Sequence, residues 1–314
     1  MFDPKVQILM SIYRPNIEYL TEQLQSIDKQ TYQNLELVVY NDDPDSPTDS
    51  VVFERNLTNV SWRFLPGRGS NLGYEKAFQY LIEESDADYL FFCDQDDVWL
   101  PSKIEKCVKG LVRDGSLAIV TDRALIDENG EVYCSSARRA SKSPSELWNT
   151  GDDIAKYNLF IPYALGMSMG LNGRFARSVM PVSDYTGHDK WLISCASAQG
   201  IVSYIDEPLV LYRRHGRNVT GVLKGIDSKA DYYRLRPESQ HHIILDFLER
   251  YPGFRDKDEV LAFSNARISR NVCDLYRYRY LAPEIAWFEI VLKCLPSPLF
   301  SCLVKAARIL KQDR

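Results

Sequence analysis

The chain predicts an α/β fold: a mostly parallel sheet flanked by helices, followed by a helical C-terminal region. Three observations predict it. Apolar runs of strand length alternate with segments of helical periodicity between Val6 and Cys93, the order that builds parallel βαβ units. Two of those runs stop abruptly in acidic loops, Asn41-Asp42-Asp43-Pro44-Asp45 and Asp94-Gln95-Asp96-Asp97, at the kind of strand end where open α/β sheets bind ligands. Beyond Gly225 the strand pattern gives way to helical stretches rich in Tyr, Arg and Leu. The expected division is 1–222 for the sheet domain and 223–314 for the helical region.

Composition fits a soluble globular protein: 314 residues, 45% hydrophobic and 26% charged. A net charge of −5 gives no reason to expect a nucleic-acid partner. The seven cysteines contain no C-x-x-C pair and no zinc spacing, and Cys93, Cys107 and Cys195 read as core fillers. The start, Met1-Phe2-Asp3-Pro4-Lys5, runs almost directly into a strand pattern without the basic and apolar regions of a signal peptide. With unpaired thiols, that predicts a cytoplasmic location.

The first strand is Val6 to Ile12, followed by the loop Ser11-Ile12-Tyr13-Arg14-Pro15-Asn16 and a helix from Ile17 to Gln30 that spaces Leu20, Leu24 and Ile27 along one face. Leu35 to Tyr40 is the second strand. A helix around Thr48 to Asn56 and a strand from Val60 to Leu65 repeat the unit. Gly67-Arg68-Gly69-Ser70-Asn71-Leu72-Gly73 opens onto a helix from Tyr74 to Glu84. It reads either as an ordinary loop and cap or as an anion site with Arg68 and Lys76 beside it.

Tyr89 to Cys93 has no polar break and is too short for a helix, so it reads as a buried strand. The three carboxylates after it, Asp94, Asp96 and Asp97, fit a hard cation such as Mg²⁺ or Mn²⁺ and fit equally an Asp-rich turn leading into a helix near Pro101. That helix is expected to reach Arg113. A strand from Leu117 to Thr121, a hairpin turn at Asp127 to Glu131 and a polar loop with a short helix over 135–158 follow. Tyr163 to Leu171, with Gly166 and Gly170, reads as a strand with close backbone approach. Gly187-His188-Asp189-Lys190-Trp191-Leu192 opens a helix to about Ala198, and Ile201 to Ile205 and Pro208 to Tyr212 read as two short strands. Helices are expected over 227–250, 256–280 and 284–311, the last interrupted by Pro296-Ser297-Pro298. Its apolar and basic residues suit either an amphipathic anchor on an anionic membrane or a helix packed on the domain.

Taken in order, these motifs resemble the family 2 glycosyltransferases of the GT-A fold. The resemblance runs from Leu9-Met10-Ser11-Ile12-Tyr13-Arg14-Pro15 through Leu35 to Asp43, Asn71-Leu72-Gly73, Asp94-Gln95-Asp96-Asp97-Val98-Trp99 and Gly187 to Leu192. It covers roughly residues 5–220. The Asp-Gln-Asp-Asp-x-Trp form, with Arg213-Arg214-His215-Gly216-Arg217-Asn218 later, looks most like bacterial rhamnosyltransferases of cell-wall and capsule polysaccharide assembly. Two departures stand out: Pro44-Asp45 replaces the usual Gly-Ser after Asp42-Asp43, and His188 replaces a Glu before Asp189.

The resemblance implies a role for each matching residue. Ser11, Tyr13, Pro15 and Asp42 would hold the nucleoside, with Asn71, Gly73 and Lys76 lining the nucleotide pocket. Asp94 would hold ribose or sugar hydroxyls, and Gln95 belongs to the same donor-binding set. Asp96, with Asp94 and His215, would bind Mn²⁺ or Mg²⁺ across the diphosphate, which Arg213 and Arg214 would also contact. Asp189 would be the general base for an inverting attack, with His188 orienting it or meeting the acceptor. The implied partners are a nucleotide-sugar donor, foremost dTDP-L-rhamnose, and a saccharide or lipid-linked acceptor. Apart from the resemblance, the residues of 284–311 leave peripheral membrane contact open, and a homodimer is left open as well. The alternatives are the same fold with a UDP-hexose donor, and a non-catalytic sugar-nucleotide-binding protein.

Overall fold

The structure is a computed structural model that describes residues 3–216 and 225–312, with side chains as far as residue 306. The expected boundary at 222/223, with Arg217 and Asn218, lies outside the described residues. The chain forms two compact units. One comprises Met1–Ala155, Pro162–Val182 and Gly187–His215, the other Lys156–Ile161, Ser183–Thr186 and Gly216–Arg314.

The first unit is built on nine strands: β1 (Val6–Ile12), β2 (Leu35–Asn41), β3 (Ser61–Phe64), β4 (Tyr89–Cys93), β5 (Val98–Trp99), β6 (Ala118–Ile126), β7 (Val132–Cys134), β8 (Met169–Asn172) and β9 (Val202–Arg213). Their order is β3-β2-β1-β4-β8-β6-β9-β5, with β7 hairpinned onto β6. The β3-β2-β1-β4 run and the β6-β9 pair are parallel, while β8 lies antiparallel between β4 and β6. Register makes the ends of the parallel strands level. Met10 faces Val39 on one side and Cys93 on the other, and Ile12 faces Asn41. The loops after β1, β2 and β4 therefore leave the sheet along one edge, and that edge carries the site.

Beneath it, Ile8, Met10, Leu37, Val39 and Phe91 pack with Leu20, Leu24 and Ile27 of helix Ile17–Asp28, whose N-cap Asn16 accepts the amide of Glu18. Fully burying one such side chain contributes about 1.5–3 kcal/mol. Glycine is required where β8 crosses β4: a Cβ on Gly170 would fall 2.3 Å from Cε1 of Phe91.

Four details differ from expectation. The segment before β8 is not strand but a 3₁₀ turn over Gly166–Ser168, fixed by Ser168 donating to Leu165 O through both its amide and its hydroxyl. The two strands expected at 201–212 are one, because a register shift between Ile205 and Pro208 absorbs Asp206 and Glu207 and tolerates the proline. The strand expected to stop at Thr121 runs on to Ile126, and Val98–Trp99 forms an extra short strand against Leu211 and Val210.

In the second unit, the helix expected over 227–250 passes through a π-helical turn, Arg234–Glu238, around Pro237, which supplies no amide for regular α-helical bonding. Helices Ser239–Arg250, Lys257–Ser269 and Pro283–Cys294 are tied by a buried network. Arg267 pairs with Glu289 at 2.8 Å and also bonds Gln240, and Tyr232 donates to Glu289 at 2.8 Å. Among the described residues no helix is long and apolar enough to cross a membrane.

Candidate functional site

At the end of β2, Asp42 is almost wholly buried and holds the following loop by its carboxylate. Oδ1 accepts the amide of Leu72 at 2.6 Å, while Oδ2 accepts the amide of Gly73 at 2.8 Å and Asn71 Nδ2 at 3.1 Å. Burial raises its carboxyl above the usual range, and the amide bonds oppose that shift. Gly73 takes a φ of 76°, favoured by glycine, as it starts helix Tyr74–Glu83. The Pro44-Asp45 departure is accommodated by Asp43, whose Oδ1 accepts the amides of Asp45 and Ser46 while Oδ2 pairs with Arg14 at 2.8 Å.

After β4, Gln95 turns toward the first loop. Its Oε1 accepts the amide of Tyr13 at 2.9 Å and its Nε2 donates to the Tyr13 carbonyl at 3.3 Å. Burial, then the charges of Asp96 and Asp189, push the Asp94 carboxyl up to about 7. Asp189, in the first turn of helix His188–Gln199, is thus brought beside the acidic loop. Tyr74 lies in the field of both Asp189 and Asp94, and burial is the largest cause raising its hydroxyl.

Asp96 Oδ2 lies 2.7 Å from His215 Nε2. Asp94 does not complete a three-ligand set with them: among the described residues no group of three or more His, Cys, Asp or Glu side chains is assembled around a cation position. At that distance the two side chains hydrogen-bond each other; they would serve as an oxygen and a nitrogen donor to Mn²⁺ or Mg²⁺, with phosphate and water completing the shell. The residues present fit such an ion in that form.

Arg213 sits differently from expectation. It is buried, its Nε donates to Asp96 O at 2.9 Å, its amide to Asp97 Oδ1 at 3.0 Å, and its guanidinium to Glu22 and the carbonyls of Asp127 and Glu128. It braces the acidic loop from beneath, whereas Arg214 is exposed. Lys76, Asn71 and Tyr13 are exposed as well, and Ser11 and Pro15 are half-buried at the end of β1 and just after it. His188 does not bond Asp189. Its ring lies between Phe78, 4.2 Å away, and Phe92, 4.7 Å away, and burial lowers its pKa to about 4. Neither ring nitrogen has a hydrogen-bond partner among the described residues.

One residue was not anticipated. Lys103 is fully buried under the acidic loop, its Nζ 3.4 Å from the centre of the Trp99 ring, and burial pushes its ammonium down to about 8. The signal was its place on the apolar stripe shared with Cys107 and Leu111 of helix Lys103–Asp114.

A family model described as Glycosyl transferase family 2 matches residues 8–169. A curated relative, the dTDP-rhamnosyl transferase RfbG of Shigella flexneri, is 26% identical over 234 residues, covering 69% of this chain and 75% of that one. An uncharacterized glycosyltransferase of Rickettsia bellii is 25% identical over 69% of this chain, which spans only 30% of that protein. A third relative, the uncharacterized glycosyltransferase alr2836 of a Nostoc species, is 22% identical, over 68% of this chain and 66% of its own length. Among solved structures, Staphylococcus aureus TarS 1–349 in complex with UDP-GlcNAc superposes with a TM-score of 0.60 at 15% identity, over 90% of this chain and 82% of that one. The mannosyltransferase PcManGT of Pyrobaculum calidifontis, in complex with GDP-Man and Mn²⁺, gives 0.53 at 13% identity, over 97% and 85%. Both likenesses are likenesses of fold.

Proposed function

Because this chain belongs to glycosyl transferase family 2, we propose that it transfers a sugar, with inversion, from a nucleotide donor to a saccharide or lipid-linked acceptor at the cytoplasmic face of the membrane. The observation that carries the reading is the meeting of Asp94, Asp96 and Asp189 at one sheet edge, close enough for their charges to displace the Asp94 carboxyl. A solitary Asp-rich turn would not recruit an acid from a helix almost a hundred residues later in the chain.

Asp189 takes the acceptor hydroxyl's proton. A placed carboxylate in that role contributes about 10²–10⁴-fold. Asp42 and the Asn71–Gly73 loop that it holds form one wall of the base pocket, with Tyr13, Ser11 and Pro15 as the other. Gln95 fixes Tyr13, and Asp94 receives the donor's hydroxyls. Asp96 and His215 would hold Mn²⁺ or Mg²⁺, whose charge offsets that of the departing diphosphate. Of the two arginines only Arg214, with Lys76, is exposed to meet phosphate oxygens. L-Rhamnose from dTDP-L-rhamnose is the proposed donor sugar, supported by the likeness to RfbG.

The test is nucleotide release from dTDP-L-rhamnose and a panel of UDP-hexoses, each with Mn²⁺, Mg²⁺ or EDTA, in the presence of an acceptor extract. Release from dTDP-L-rhamnose that EDTA abolishes is expected. Release from a UDP-hexose alone would replace the sugar, and no release from any donor would remove the catalytic reading.

A further inference from the structure

Helices Pro283–Cys294 and Ser297–Gln312 cover their inner residues in a small core, where Leu292, Phe300 and Val304 meet Tyr232 and Tyr233. Their outer faces are apolar too. Trp287, Val291 and Cys294 follow the i, i+4, i+7 spacing of one exposed stripe, and Leu299, Leu303 and Ala306 follow it on the next helix. Val291 is 63% exposed, Leu303 53% and Trp287 50%, an unusual arrangement for side chains of this size on consecutive helices.

The charge around this face differs from that of the whole chain. The chain carries −5, yet residues 270–306 contain Arg270, Arg277, Arg279, Lys293 and Lys305 against Asp274, Glu284 and Glu289. Glu289 does not reach the surface, because Arg267 and Tyr232 hold it in the buried network. The one acid in the middle of the apolar stretch is thereby withdrawn from the exposed stripe. Lys305 is exposed beside it, and so is Lys293, whose ammonium donates one of its three N–H groups to the Arg270 carbonyl at 2.8 Å. Tyr276, half-exposed, packs its ring 5.8 Å from that of Trp287, a Trp–Tyr pairing suited to the boundary between water and acyl chains.

We propose that this face docks on an anionic lipid bilayer, with Trp287, Val291, Leu299 and Leu303 entering the boundary between headgroups and acyl chains and Lys293 and Lys305 meeting the headgroup phosphates. The inference deepens the membrane part of the proposed function and rests on it for the acceptor alone. A second copy of the chain is the poorer occupant. A two-fold contact sets the same patch against itself and would bring the lysines of both copies together. An anionic surface meets apolar stripe and basic edge at once. Such a helix pair lies in the interface plane, about 5–10 Å deep, and does not span.

The experiment is co-sedimentation of the full chain with phosphatidylcholine vesicles, with and without phosphatidylglycerol, at low and high salt. Binding is expected only with phosphatidylglycerol. It should fall at least about tenfold in the double variant Val291→Glu/Leu303→Glu, whose sites are exposed enough to leave thermal unfolding unchanged. Lys305→Gln should weaken binding about fivefold at low salt and less at high salt. Equal binding of the double variant, or no binding to phosphatidylglycerol vesicles, overturns the proposal. So does a wild-type dimer that the double variant dissociates without any vesicle binding, which would assign the face to a second copy. Nucleotide release with a water-soluble acceptor, measured on the same preparations, reports separately on the transfer reaction.

Discussion

Gln95 holds the backbone of Tyr13 from both sides, accepting its amide at 2.9 Å and donating to its carbonyl at 3.3 Å. One amide side chain thus closes the gap between the loop after the first strand and the acidic loop after the fourth, as a neighbouring strand would. Gln95→Ala removes both bonds, about 0.5–1.5 kcal/mol each. The donor KM should rise by about one order of magnitude, with a smaller fall in kcat. Steady-state kinetics check it, and an unchanged KM would mean that the Tyr13 loop holds its place without Gln95.

Asp189→Asn keeps the shape of the first turn of its helix and removes the base. Transfer should drop by about 10²–10⁴-fold in kcat. Binding of the donor, followed by titration calorimetry in the presence of Mn²⁺, should stay within a factor of about two. Full transfer by this variant would move the base elsewhere.

Arg213 braces the acidic loop against Glu22 and the Asp127–Glu128 turn. Arg213→Ala removes a buried guanidinium together with its bonds to the Asp96 carbonyl and to half-exposed Glu22, a loss of roughly 1–3 kcal/mol. Thermal unfolding should shift down by several degrees, whereas Arg214→Ala, at an exposed position, should leave it in place. Equal shifts for the two would contradict the bracing role.

His188 makes stability depend on pH. Burial lowers its folded pKa to about 4, below the 6.5 of the free side chain. Between those values the unfolded chain binds the extra proton, so stability is full above pH 6.5 and is lost as pH falls toward 4. The loss from this residue amounts to about 3 kcal/mol. His188→Phe should flatten that part of the curve in urea unfolding at a series of pH values. A variant with the parent's slope would show that other groups cause it.

Much of this organisation is legible in the residues themselves. The largely apolar Val6–Ile12 and the unbroken Tyr89–Cys93 declare buried strands, and the acidic stops after Leu35–Asn41 and Tyr89–Cys93 declare the edge that carries Asp42, Asp94 and Asp96. The two-residue strand Val98–Trp99 is too short to show any period. Arg213 and Arg214 look alike in sequence, but neighbouring residues at a strand end face opposite sides, and only tertiary packing decides which one goes inside. His188 reads as a polar partner for Asp189 because nothing local reveals that Phe78 and Phe92 flank it. Lys103 hides for a similar reason: a lysine on a helix is ordinarily solvated, and only the face shared with Cys107 and Leu111 hints otherwise.

The clamp that Asp42 places on Asn71, Leu72 and Gly73 bears on affinity as well as on geometry. Ordering a free backbone costs about 1–2 kcal/mol per residue. Because these three residues are fixed by a carboxylate of their own chain, that cost falls on folding and is not repeated with each ligand. A donor arriving at this edge meets a preorganised wall, and the binding energy of its base goes into discrimination instead of into ordering the protein.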